Sequence, residues 1–108
     1  MSIEWNVHIF DKPGVDRTPF RPQHLADIPG NVNAGVVVAA GPLYQDVEKT
    51  KFVGSGFILN ASLKEEIKEF LSRDIFAKEG IWDMDLIVAY PTATGVRLAK
   101  DMAGVNVK

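Results

Sequence analysis

Few side chains in this chain can do chemistry. It has two histidines, His8 and His24, and no cysteine. Thiol catalysis, zinc–thiolate sites and disulfides are therefore excluded. His24 is the better placed of the two. It lies in Arg21-Pro22-Gln23-His24-Leu25, which reads as the start of a helix, because the N–H that Pro22 lacks would have no intrahelical partner in a first turn. Thr18 can cap that start, with Pro19 as the first helical residue. The positive end of the helix dipole disfavours an imidazolium and leaves a neutral ring able to accept a proton, the chemistry of a general base. His8 alternates with core residues of a strand and reads as structural or half-solvated. A metal site of two histidines and a carboxylate needs both rings to converge, and their spacing gives no sign of it. No metal and no cofactor is expected.

The elements that must position these residues follow from periodicity and turn chemistry. Glu4 to Asp11 alternates Trp5, Val7 and Ile9 with Asn6, His8 and Phe10, the period of a strand with two unlike faces. Lys12-Pro13-Gly14 ends it, and Asp16-Arg17-Thr18-Pro19 continues as a polar loop. The helix carrying His24 runs from Pro19 or Pro22 to near Ile28, where Pro29-Gly30 is expected to interrupt it. Asn31 to Ala34 forms a further turn. Gly35 leads into Val36-Val37-Val38-Ala39-Ala40, a run expected to be a strand buried on both faces and stopped by Gly41-Pro42. After a charged loop from Leu43 to Lys51, a third strand spans Phe52 to Leu59. Its Gly54 and Gly56 share one face and leave room for a close neighbour or a ligand, while Ser55 points the other way.

A second helix opens on a capping box, Ser62 with Glu65 three residues on. Leu63, Ile67, Phe70 and Leu71 form its stripe toward the sheet, with Lys64, Glu65, Glu66, Lys68 and Glu69 on the solvated face. Taken alone, Asp74 reads as the cap of a turn over Ile75–Lys78. Trp82, Met84, Leu86, Val88 and Tyr90 alternate with Asp83, Asp85, Ile87 and Ala89 in a fourth strand closed by Pro91. Residues 1–91 then make one domain and 92–108 a tail, whose Leu98, Met102 and Val105 suit a frayed helix or a segment draped over a partner. The order β-α-β-β-α-β defines an α+β, ferredoxin-like unit. Two helices cover only one face of four strands, so the other face needs a lid. A second copy of the same sheet supplies it, and a homodimer is expected.

Composition narrows the function classes. A chain of 108 residues with 12 Lys and Arg against 14 Asp and Glu is an ordinary single globular domain. There is no basic block, which argues against nucleic acid and anionic membranes as partners. The longest apolar runs are too short to span a bilayer, and residues 1–10 lack the pattern of a signal peptide. A cytoplasmic protein acting on a small-molecule substrate is the expectation.

Several motifs, in order, resemble the YCII-related family: Arg21-Pro22-x-His24-Leu25, Ala40-Gly41-Pro42-Leu43, Gly54-Ser55, and Phe70-Leu71-x-x-Asp74-Ile75-Phe76 closing on Gly80-Ile81-Trp82. Lys12-Pro13-Gly14 after the first strand also fits, and the resemblance covers Trp5 to Pro91. It implies a dimeric α/β barrel with a paired histidine and aspartate in a cleft, which fall on His24 and Asp74. A chloride-eliminating enzyme of chlorinated hydroquinone breakdown is similar to this family, and related barrels host isomerases and monooxygenases of aromatic compounds. Two departures stand out: Asp74-Ile75 replaces the common Asp-Pro, and Pro29-Gly30 is expected to shorten the first helix.

Such a pair has two chemistries. Asp74 can hold one ring nitrogen of His24 and stabilise the imidazolium, supporting proton abstraction followed by elimination or isomerisation. Alternatively, Asp74 attacks an electrophilic carbon of an epoxide or haloalkane, and His24 activates water to hydrolyse the ester. Arg21, Arg73 and Ser55 are candidates to bind a substrate oxyanion, the arginines also reading as solvent-facing ion pairs. Tyr44 is a candidate wall for an aromatic ring, as is Trp82, for which core packing is the better reading. A non-catalytic small-ligand-binding dimer is the remaining alternative.

Overall fold

A computed structural model describes residues 3–92. The elements are β1 (Ile3–Phe10), α1 (Arg21–Asn33), β2 (Val37–Tyr44), β3 (Phe52–Ala61), α2 (Lys64–Ser72), α3 (Ile75–Lys78) and β4 (Val88–Thr92). A short 3-10 turn at Thr18–Phe20 precedes α1. The strands form one antiparallel sheet in the order β2-β3-β1-β4. This is the ferredoxin-like α+β arrangement, in which each crossover helix skips the strand lying between the two it joins. The expected tail lies outside the described residues except for Thr92, which ends β4.

Alternation along β1 sorts the sheet into two faces. Trp5, Val7 and Ile9 lie buried on the helix side with Phe57 and Leu59 of β3, Ile67 and Leu71 of α2, and Phe76 of α3. Each such side chain contributes about 1.5–3 kcal/mol by leaving water. Asn6 and His8 point to the other face, which the described residues leave uncovered and which carries exposed Phe10, Val88 and Tyr90.

Several expected boundaries move, each for a local reason. Pro29-Gly30 does not interrupt α1. Pro29 lies on the exposed side, where water can take the carbonyl freed by its missing N–H, and the helix continues to Asn33. It ends at Gly35, whose φ of +79° suits glycine. There the Gly35 N–H bonds to the Val32 carbonyl and the Val36 N–H to that of Asn31, the paired bonds of a Schellman ending. Thr18 does not cap α1. Its N–H donates instead to Asp16 Oδ1 at 2.9 Å, and the side-chain and backbone hydrogen bonds of Thr18 hold the Asp16 carboxyl below its ordinary range.

Gly41-Pro42 does not stop β2, which runs through them, and only Val37 of this strand is fully buried. β2 is an edge strand, where Pro42 can turn its missing N–H to solvent. The capping interaction at α2 sits one residue later than expected: Glu66 Oε1 accepts from Leu63 N at 2.8 Å and Ser62 N at 3.0 Å. Leu63, expected in the apolar stripe, is exposed.

The fourth strand is shorter and shifted. Trp82 makes only an isolated bridge to Asp11, and β4 begins at Val88 and runs past Pro91, again on a sheet edge. Asp83 Oδ1 accepts from Asp85 N at 3.1 Å. This local turn overrides the alternating pattern between Trp82 and Ile87.

Candidate functional site

α1 and the segment between α2 and α3 bring two side chains together from 50 positions apart. His24 Nδ1 lies 2.7 Å from Asp74 Oδ2. His24 occupies the fourth position of α1 and is buried. Its ring stacks on Phe76 at 4.3 Å between centroids and 19° between planes, and meets Trp82 at a near-perpendicular 86°. These two aromatics fix the plane of the imidazole. Asp74 is fixed by the backbone: its extended conformation makes it the cap of α3, with Oδ1 accepting from Phe76 N at 2.9 Å.

Asp74 therefore caps α3 with one oxygen and contacts His24 with the other. Ile75 takes the first helical position of α3, where a proline would also fit, so the departure from Asp-Pro leaves the cap geometry intact. Beyond α3, Gly80 at φ +69° repeats the Schellman ending of α1, with bonds from Gly80 N to Ala77 O and from Ile81 N to Phe76 O. It turns the chain so that Trp82 can reach His24.

An ionised carboxylate can only accept, so this contact suits a ring that carries a proton on Nδ1, and in the neutral form of that ring the lone pair lies on Nε2. Beside the ring is a recess of about 90 Å³ between α1 and strands β2 and β3, lined by His24, Arg17, Arg21, Leu25, Pro42 and Ser55 among others. Ser55 is 2% exposed and its Oγ accepts from Arg17 Nη2 at 3.1 Å. Arg21 lies at the rim, its guanidinium 5.7 Å from the Phe52 ring centre.

Two of the sequence candidates lie apart from this recess. Tyr44 is not among its lining residues and stacks on the far partner of the arginines, Phe52, at 4.9 Å. Arg73 is exposed, facing Glu69 one helical turn away at 3.8 Å. It borders a separate 420 Å³ groove with Asp27, Asn31 and Asp74. Trp82 packs in the core, and its indole N–H has no hydrogen-bond partner among the described residues. The room expected at Gly54 is taken by the chain itself, since a Cβ there would collide with the Ile9 carbonyl oxygen. His8 lies on the uncovered face, away from the recess.

The residue that sequence reasoning missed is Arg17. It is 3% exposed, donates from Nε and Nη2 to both oxygens of Asp11 at 2.9 and 2.6 Å, and lies over Phe52 and Phe76 with its guanidinium carbon 5.1 and 4.6 Å from the ring centres. In the sequence it belongs to a polar turn, and its aromatic partners are 35 and 59 positions away. The one local signal is Asp11, at the end of β1 across the turn.

No family model matches the chain. Its fold is shared with a solved structure, 5-chloro-2-hydroxyhydroquinone dehydrochlorinase from Burkholderia phenoliruptrix in complex with 2,5-dihydroxybenzoquinone. The TM-score is 0.71 over 86% of this chain and 96% of that one, at 20% identity.

In sequence the chain is similar to the aspercryptin biosynthesis cluster protein B of Emericella nidulans, 32% identical over 101 residues. That match covers 87% of this chain and 65% of that protein's length. The xenovulene A biosynthesis cluster protein asL2 of Sarocladium schorii is 28% identical over 107 residues, covering 90% of this chain and 93% of that protein. A shorter match, 42% over 38 residues and 35% of this chain, joins it to fusaric acid biosynthesis protein 2 of Gibberella fujikuroi.

Proposed function

We propose that the chain is a cofactor-independent enzyme that eliminates hydrogen halide, or a comparable acid, from a small hydroxylated ring or enolisable carbonyl compound. The observation that carries this reading is the 2.7 Å contact between His24 Nδ1 and Asp74 Oδ2 beside the recess. Asp74 orients the ring, and Nε2 removes a proton from carbon. The C–H pair becomes a C=C bond as the carbonyl π pair moves onto oxygen. When the carbonyl re-forms, the pair shifts toward the carbon bearing the leaving group, and halide departs with its bonding electrons. The proton ends on His24, and the imidazolium is stabilised by Asp74.

The shared fold with a dehydrochlorinase and the similarity to biosynthesis cluster proteins support a small-molecule substrate. The YCII resemblance supports the same pair of residues. Hydrolysis through an Asp74 ester is the weaker reading, because both carboxylate oxygens are already engaged, by Phe76 N and by His24. We assign the working form as a cytoplasmic homodimer joined through the uncovered sheet face, where Phe10, Val88 and Tyr90 are exposed. Arg21 and Ser55 are the substrate-binding candidates that line the recess.

The test is halide or diol release from a panel of halogenated hydroquinones, phenols, haloalkanes and epoxides. His24→Ala is expected to lower turnover by about 10²–10⁴-fold, and product formed in labelled water is expected to carry no solvent oxygen. Solvent oxygen in the product would establish hydrolysis instead. No turnover of any panel member would sink the enzyme reading and favour a ligand-binding dimer.

A further inference from the structure

The elimination proposed above passes negative charge onto an oxygen, and the recess contains donors suited to receive it. Arg17 has five N–H groups. Asp11 takes those on Nε and one on Nη2, and Ser55 Oγ takes a bond from Nη2. Nη1 has no hydrogen-bond partner among the described residues, and Arg17 lines the same recess as His24. Ser55, used as an acceptor by Arg17, keeps its own hydroxyl proton to donate. Asp11 and the rings of Phe52 and Phe76 hold the guanidinium in place without covering that nitrogen with a carboxylate.

We propose that Arg17 Nη1 and the Ser55 hydroxyl form an oxyanion subsite, and that the substrate is a compound whose reacting oxygen is a phenolate or enolate. The proposal rests on the reading of His24 as base and adds which oxygen-bearing class the recess selects. The buried site strengthens a charge-assisted hydrogen bond, because little water competes there. The Asp11 pair presets the fork before substrate arrives, so binding requires no reorganisation of the arginine.

The experiment compares binding of 4-nitrophenolate with that of its uncharged analogue 4-nitroanisole, at a pH where the phenol is ionised. It follows the visible phenolate band and titrates by calorimetry. The protein is expected to prefer the phenolate by about ten- to a hundredfold, the size of one charge-assisted hydrogen bond. The double variant Arg17→Gln/Asp11→Asn removes both charges together and is expected to bind the two probes equally, with the phenolate band returning to its position in water. Arg17→Lys keeps a cation opposite Asp11 but lacks Nη1, and is expected to lose the same preference, giving a second test if the double variant fails to fold.

Lys68→Gln, a charge change on the exposed face of α2 outside the recess, is expected to retain the preference. Absence of a preference in the unmodified protein, or its persistence in either folded Arg17 variant, overturns the proposal. A preference that depends on Arg17 in a protein that turns over nothing would retain the subsite and remove the elimination reading.

Discussion

Two arginine–carboxylate pairs use the same groups in opposite surroundings. Arg17 and Asp11 meet at 2.6 Å with side chains 3% and 9% exposed, while Arg73 and Glu69 stand 3.8 Å apart at 67% and 71% exposed. In the first pair, taking two charges out of water is costly, and two parallel hydrogen bonds, Ser55 and two aromatic faces offset that cost. In the second, water and salt already solvate both ions, so their attraction is small. The buried pair is therefore brittle and specific, and the exposed one is replaceable. It is the arginine of the brittle pair that borders the recess with His24.

The comparison is tested most strongly by breaking the buried pair on one side only. Arg17→Met leaves Asp11 without its cation and is expected to cost about 3–5 kcal/mol of stability, read from urea unfolding. Removing both charges, as in Arg17→Met/Asp11→Asn, is expected to restore most of that loss. If the single and double variants lose the same amount, the guanidinium stabilises through packing alone and the contrast with Arg73 disappears.

Asp74 offers an intermediate case, since its two oxygens do different work. Asp74→Asn can keep a capping oxygen toward Phe76 N but cannot hold an imidazolium. It is expected to change stability little while lowering any turnover by orders of magnitude. Asp74→Ala removes the cap as well and is expected to cost about 1 kcal/mol more. Equal stability of the two variants would mean that Asp74 does not hold α3.

How much of this was legible in the sequence depended on the range of the cause. The βαββαβ order, the core stripe of Ile67 and Leu71, and Asp74 as the cap of Ile75–Lys78 all follow from patterns a few residues long. Misplaced boundaries came from residues whose effect depends on tertiary position. Pro29, Pro42 and Pro91 read as breaks, yet each sits at an exposed position of a helix or an edge strand, where water can replace the hydrogen bond its missing N–H forfeits. The Val36–Ala40 run read as a strand covered on both sides, although in an antiparallel sheet with helices on one face an edge strand stays largely open. Arg17 was illegible for a further reason. Its burial depends on Phe52 and Phe76, which reach it only when β3 and α3 pack together.

The smallest expected effect lies at the exposed pair, two side chains one helical turn apart in water. Arg73→Ala removes a long-range attraction between two solvated ions, and its aliphatic stem covers little of the core. Stability is expected to change by less than about 0.5 kcal/mol, and raising salt should erase even that difference because the charges are screened over about a Debye length of 8–10 Å. The Arg17→Met deficit, by contrast, should persist at high salt, since ions do not reach the buried carboxylate. Parallel urea titrations at low and high ionic strength would make this comparison directly. A deficit at Arg17 that fades with salt would mean that water reaches Asp11, and the recess would then lack the dry surroundings on which its anion preference depends.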